Sequence, residues 1–187
     1  MRKVVTFATL VALGALALGT VALAGDDDGG GGKTHLNGYQ EVVGGPGPST
    51  GSVSTAGKGT FRFQVRQDPL RIHYVLQYEN MEGGTVSQAH IHFAERHVGG
   101  GVIAFLCGGS KPACTTPDGR FEGDITAADV IGPTDQGIEP GSLTEAIRAI
   151  RAGAVYANVH STPRFPEGEI RGQIQGRGHG KRDDKRH

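Results

Sequence analysis

Short runs in which apolar and polar residues alternate recur through most of this chain, the period-two signature of β-strands with one buried face. In residues 88–93, Ala89, Ile91 and Phe93 fall on one face and His90 and His92 on the other. Residues 154–160 set Val155, Ala157 and Val159 against Tyr156, Asn158 and His160, and residues 169–174 set Ile170 and Ile174 against Arg171 and Gln173. Phe61, Phe63 and Val65 share a face in residues 59–66, as do Ile72, Tyr74, Leu76 and Tyr78 in residues 70–79. The intervening Asp68-Pro69 makes these two runs a hairpin. Residues 34–41 read as a first edge strand, residues 102–106 as an apolar strand, and residues 119–125 as a strand with Phe121 in the core.

Helical spacing occurs only between residues 126 and 152. Residues 126–130 suit a single capped turn. Leu143, Ile147 and Ile150 recur at helical spacing over residues 143–152, with Ser142 or Thr144 as cap and Gly153 as stop. With 32 glycines, no tryptophan and about eight short strands, the pattern predicts an all-β protein. The expected architecture is an antiparallel, Greek-key-like β-sandwich with one short crossover helix.

The ends of the chain change the picture. Arg2 and Lys3, an apolar run and Ala22-Leu23-Ala24 give residues 1–24 the form of a cleavable signal peptide. Residues 25–33 read as a Gly/Asp linker, 34–175 as the folded domain and 176–187 as a charged tail. The expected location is therefore secreted or periplasmic, with no membrane span after cleavage. Without the leader, 17 Lys and Arg face 19 Asp and Glu, a net charge of −2, which argues against a nucleic-acid partner. Cys107 and Cys114 share one Gly/Pro-rich loop, and an even count in an oxidising compartment predicts a disulfide between them.

If the polar faces of the three strands adjoin, His90, His92, Asn158, His160, Arg171 and Gln173 form one patch. Two readings follow. In one, His90, His92 and His160 ligate copper or zinc through three nitrogens. This resembles copper/zinc superoxide dismutase in pattern only, because the Gly-His loop and the Asp ligand of that enzyme have no counterpart. It is also unlike a cupin, because Glu95 follows His92 by three positions and on an unbroken strand points to the opposite face. In the other, the patch is a hydrogen-bonded layer that fixes strand register, and the Arg171 guanidinium weighs against a bound cation. Glu167 and Glu169 are carboxylates without an evident nucleophile, and no Gly-x-Ser-x-Gly elbow occurs. The residues therefore point away from an enzyme and toward a binding or structural module.

Taken in order, several short motifs resemble the CHRD domain, the module repeated in chordin and found singly in exported bacterial proteins. They are Leu36-Asn37-Gly38-Tyr39-Gln40-Glu41, Ala56-Gly57-Lys58-Gly59, Ala89-His90-Ile91-His92, Gly123-Asp124-Ile125-Thr126, the segment 150–161 and the closing segment 166–174. The chain departs from the family pattern at Val42-Val43-Gly44-Gly45, where prolines are usual, and at Phe93-Ala94, where a glycine usually follows the His-x-His. The resemblance implies a β-sandwich and a likeness to a protein-interaction module; with no nucleophile–base pairing in the sequence, the expectation is a non-catalytic module whose partner is an extracellular protein or glycan.

Overall fold

In the computed structural model, which describes residues 30–43 and 51–175, each alternating run becomes a strand of one antiparallel sheet. The strands are β1 (Gly31–Asn37), β2 (Lys58–Gln67), β3 (Leu70–Glu79), β4 (Gly84–Phe93), β5 (Gly101–Cys107), β6 (Gly119–Ile125), β7 (Val155–Pro163) and β8 (Phe165–Ile174). One helix, α1 (Leu143–Arg151), stands between β6 and β7. The expected signal peptide and charged tail lie outside the described residues, as does most of the expected linker. Among the described residues no helix is long and apolar enough to cross a membrane.

The sheet order is β5-β4-β7-β8-β1-β2-β3-β6. Two halves join where Asn37 of β1 pairs with Arg171 of β8, and the sheet curls until its edge strands β5 and β6 meet. The result is an antiparallel all-β fold, a nearly closed barrel or flattened sandwich, with one helix. Register shifts in the β4–β5, β4–β7 and β7–β8 pairs supply the local bending that lets one sheet enclose its own core. Side chains then stitch the seam. The Tyr74 hydroxyl donates to Leu106 O at 2.8 Å, and Lys111 Nζ donates to Asp124 O at 3.0 Å and pairs with Asp129 at 2.7 Å. The Cys107–Cys114 disulfide closes the loop that leaves β5.

The inward faces are those the alternation marks. Leu36, Phe61, Phe63, Ile72, Leu76, Ile91, Ile103, Val159 and Ile170 are buried in one cluster, to which α1 adds Leu143, Ala146, Ile147 and Ile150. Removing such side chains from water supplies the main driving force for this fold.

Three expectations need correction. The first strand is not an edge: β1 lies between β8 and β2, because closure of the sheet brings β8 to its free side. It also starts earlier, at Gly31, within the stretch expected as linker. Gly31 and Gly32 pair with Gln64 and Phe63, and a Cβ at Gly32 would stand 2.8 Å from the Phe63 ring, so glycine there belongs to strand packing. Finally, α1 has Ser142 at its N-cap, but the serine side chain makes no capping bond. The Ser142 carbonyl instead accepts from Glu145 and Ala146 N–H.

Candidate functional site

Register places the patch. In the β4–β7 pair His90 lies opposite Asn158, His92 opposite Tyr156 and Gln88 opposite His160. In the β7–β8 pair Asn158 lies opposite Arg171 and Tyr156 opposite Gln173. All six residues named from the sequence therefore project from the outer side of three adjacent strands, as alternation requires. All six are also buried, which alternation does not require. The patch is tied to the loop 94–100, to Gly153 before β7 and to the start of β8. Arg171 Nη2 donates to Glu95 O at 3.0 Å and Gln173 Nε2 to Ala94 O at 2.9 Å and Gly153 O at 2.8 Å. The His92 and His160 rings bond to Gly100 O at 2.9 Å and Pro166 O at 3.0 Å.

These last two bonds settle the tautomers. A carbonyl oxygen only accepts, so Nδ1 of both His92 and His160 carries the proton, and the neutral ring keeps a lone pair on Nε2. His92 Nε2 is buried and has no hydrogen-bond partner. His160 Nε2 lies 3.2 Å from His90 Nδ1, which donates to it. One nitrogen from each of the three rings falls within 4.8 Å of the others. Two ligands held about 2.0–2.1 Å from one tetrahedral ion stand about 3.3 Å apart, close to the His90–His160 separation. Register shifts at Ala89/His90 and Ile91/His92 mark the same strand segment, where bulges commonly re-aim side chains.

Electrostatics keep the rings uncharged. Burial, reinforced by neighbouring His160 and His92, holds His90 down at about 3. Burial lowers His92 to about 4, against the opposing effect of its bond to Gly100, and burial also lowers His160. The rings are therefore free bases at neutral pH and need lose no proton to bind a metal. Aromatic walls flank them: the Phe105 ring stands edge-on to His90 at 4.6 Å, and the Tyr156 ring stacks on His92 at 4.7 Å.

Arg171 approaches Tyr156 from β8, the strand on the other side of β7 from His92, and its guanidinium lies 3.4 Å from the ring centre. Its positive charge adds to the depression of His92, which burial mainly causes. The sequence did not reveal its counter-charge. Glu41, in the loop after a 3-10 turn at Gly38–Gln40, is buried beside Asn158 and Arg171. Burial raises its carboxyl to about 6, although the Val42 N–H and the Arg171 charge pull the other way. Gly168, at φ +137°, makes room for it, since a Cβ there would run into the Glu41 carboxylate. Besides His92 Nε2, the buried atoms Glu41 Oε2, Asn158 Oδ1, Arg171 Nη1 and Gln173 Oε1 lack partners. The patch thus carries a concentration of unspent hydrogen-bonding capacity, which native interiors generally satisfy.

Of the two carboxylates considered as bases, Glu169 is fully buried and accepts four bonds. The donors are Thr55 Oγ1 at 2.6 Å, Glu82 N at 2.7 Å, Gly83 N at 3.1 Å and Ser161 Oγ. It ties three segments together. Glu95 lies beyond the end of β4, and its side chain is exposed, so the strand on which its direction was reckoned does not extend that far. Tyr156 and Glu41 were missed as members of the patch. Alternation already placed Tyr156 on that face, but Glu41 lies in a loop and carried no periodic signal.

The family model of the CHRD domain matches residues 33–174, which takes in every residue of the patch. No curated protein and no solved structure matches the chain.

Proposed function

The chain belongs to the CHRD-domain family, and from that premise we propose that it is an exported, non-catalytic binding module whose patch holds one transition-metal ion, copper or zinc. Family membership supports a binding or structural module, and three features support the finer reading. Residues 1–24 have the form of a signal peptide, and the Cys107–Cys114 disulfide suits an oxidising compartment. The single observation that carries the metal is the convergence of His90, His92 and His160, two of them held at Nδ1 by backbone carbonyls so that Nε2 is left unprotonated. An outer-shell bond on the far nitrogen is the usual way a ligating imidazole is oriented. The loop roof and aromatic walls favour retention of an ion over turnover at it. The outer surface is then the place for a protein or glycan partner.

A second reading keeps the same residues as a register-fixing network without an ion, and it too has a specific observation in its favour. Arg171, Gln173 and His92 each hold a loop carbonyl and His160 one at the start of β8, so the patch organises its own roof. Elemental analysis of untagged protein separates the two. The proposal expects about one copper or zinc per chain, retained through dialysis and lost in both His90→Ala and His92→Ala. Protein that stays metal-free even after incubation with either ion, and loses stability in the same variants, would leave the network reading.

A further inference from the structure

Resting on the metal-site reading above, we infer that the ion this patch is built for is cuprous copper, Cu(I), in preference to zinc or cupric copper. The donor set is three neutral imidazoles, and among the described residues no cysteine, aspartate or glutamate atom joins the group. An ion there keeps its full charge. The one buried carboxylate of the patch, Glu41, feels the charge of the Arg171 guanidinium, and its single negative charge at most offsets that positive one, so the patch offers a cation no net negative charge. The cost of desolvating an ion grows with the square of its charge, which makes a divalent ion about four times as costly as a monovalent one in the same buried site.

Coordination number points the same way. Zinc in a closed protein site takes four ligands, and cupric copper prefers a tetragonal set of nitrogen and oxygen donors. The filled-shell cuprous ion is satisfied by three nitrogens. Phe105 and Tyr156 flank the rings, and the unpartnered oxygen of Asn158 is a neutral, weak donor that adds no charge. To take the ion, His90 moves its proton from Nδ1 to Nε2, a change of tautomer that alters no charge.

The test titrates the untagged full chain with Cu(I), under anaerobic conditions in competition with a chromogenic cuprous chelator, and separately with Zn(II) and Cu(II). The expected result is one Cu(I) per chain, bound at least about 100-fold more tightly than Zn(II) and slow to show a cupric paramagnetic signal in air. His92→Gln and His160→Gln, checked for native circular dichroism, are expected to abolish that binding. The comparison between ions needs only the wild-type chain, so it stands even if a variant fails to fold. Zinc or Cu(II) bound as tightly as Cu(I), with the same histidine dependence, would overturn the cuprous assignment and leave the metal-site reading intact. Absence of histidine-dependent binding of all three ions, or Cu(I) binding that the variants do not alter, would overturn both.

Discussion

A histidine on a strand is ambiguous until the partner of each ring nitrogen is known. His90 and His92 could be placed on one face from the sequence alone. Their protonation depends on Gly100, Pro166 and the roof over them. The metal-free protein should consequently be acid-labile. Unfolded imidazoles take up protons near 6.5, whereas His90 and His92 in the fold resist protonation down to about 3 and about 4. Between those limits the unfolded chain holds more protons, so stability is full above the unfolded value and falls as the pH is lowered. Glu41 acts in the opposite sense. Its folded carboxyl holds a proton up to about 6 against 4.5 for the ordinary group, so its contribution is present in acid and lost as the pH rises through that range. Arg171 stays charged throughout, and Tyr156, raised by burial, stays neutral. Three histidines outweigh one carboxyl. Urea unfolding at pH 7 and pH 5 should show a loss on the order of 2 kcal/mol for each of His90 and His92, with His160 acting in the same direction, and equal midpoints would contradict it.

Whole elements were easier to read than their neighbours. Sequence pattern located seven strands because each sends apolar side chains to the core. It misjudged β1, whose Gly31, Gly32 and Lys33 have no apolar side chain to report on. The 3-10 turn that follows β1 matters to the site, because it delivers Glu41 to the patch. The turn depends on close backbone approach. Val53 N donates to Gly38 O at 2.8 Å, and a Cβ at Gly38 would run into the Val53 carbonyl. Gly38→Ala should therefore lower stability by about 1–3 kcal/mol through overpacking, measured as a reduced denaturation midpoint. Gly99→Ala, where a Cβ meets nothing within 4 Å, serves as the control and should shift the midpoint little. Similar midpoints for the two variants would show that the turn yields.

At the scale of the molecule, an eight-stranded sheet must either close or protect its edges, and here side chains hold the β5–β6 seam while one disulfide staples the loop that leaves β5. The Cys107–Cys114 loop spans a sequence separation of 7, so the chain-entropy model assigns it about 2 to 3 kcal/mol, acting mainly on the unfolded state. Reduction should lower the melting temperature and leave the far-ultraviolet circular dichroism at 25 °C unchanged, because Tyr74, Lys111 and Asp129 still bridge the seam. Loss of the β-sheet spectrum on reduction alone would show that the fold depends on the stapled loop and not on its core.

By itself the sequence determined the antiparallel all-β class, the single helix near residue 143, the partnering of the two cysteines and the common face of His90, His92, Asn158, His160, Arg171 and Gln173. All of these follow from local periodicity and short separations, which a chain carries in its order of residues. Only the tertiary structure decided which strands are neighbours, and with them whether the sheet is one nearly closed surface or two layers. Pairing β1 with β8 joins residues more than a hundred positions apart, and nothing periodic encodes that choice. The same holds for the chemistry of the patch. Its burial, its ring tautomers and the charge of Glu41 beside Arg171 are set by loops folding over the outer face, and loops leave no regular pattern in the sequence.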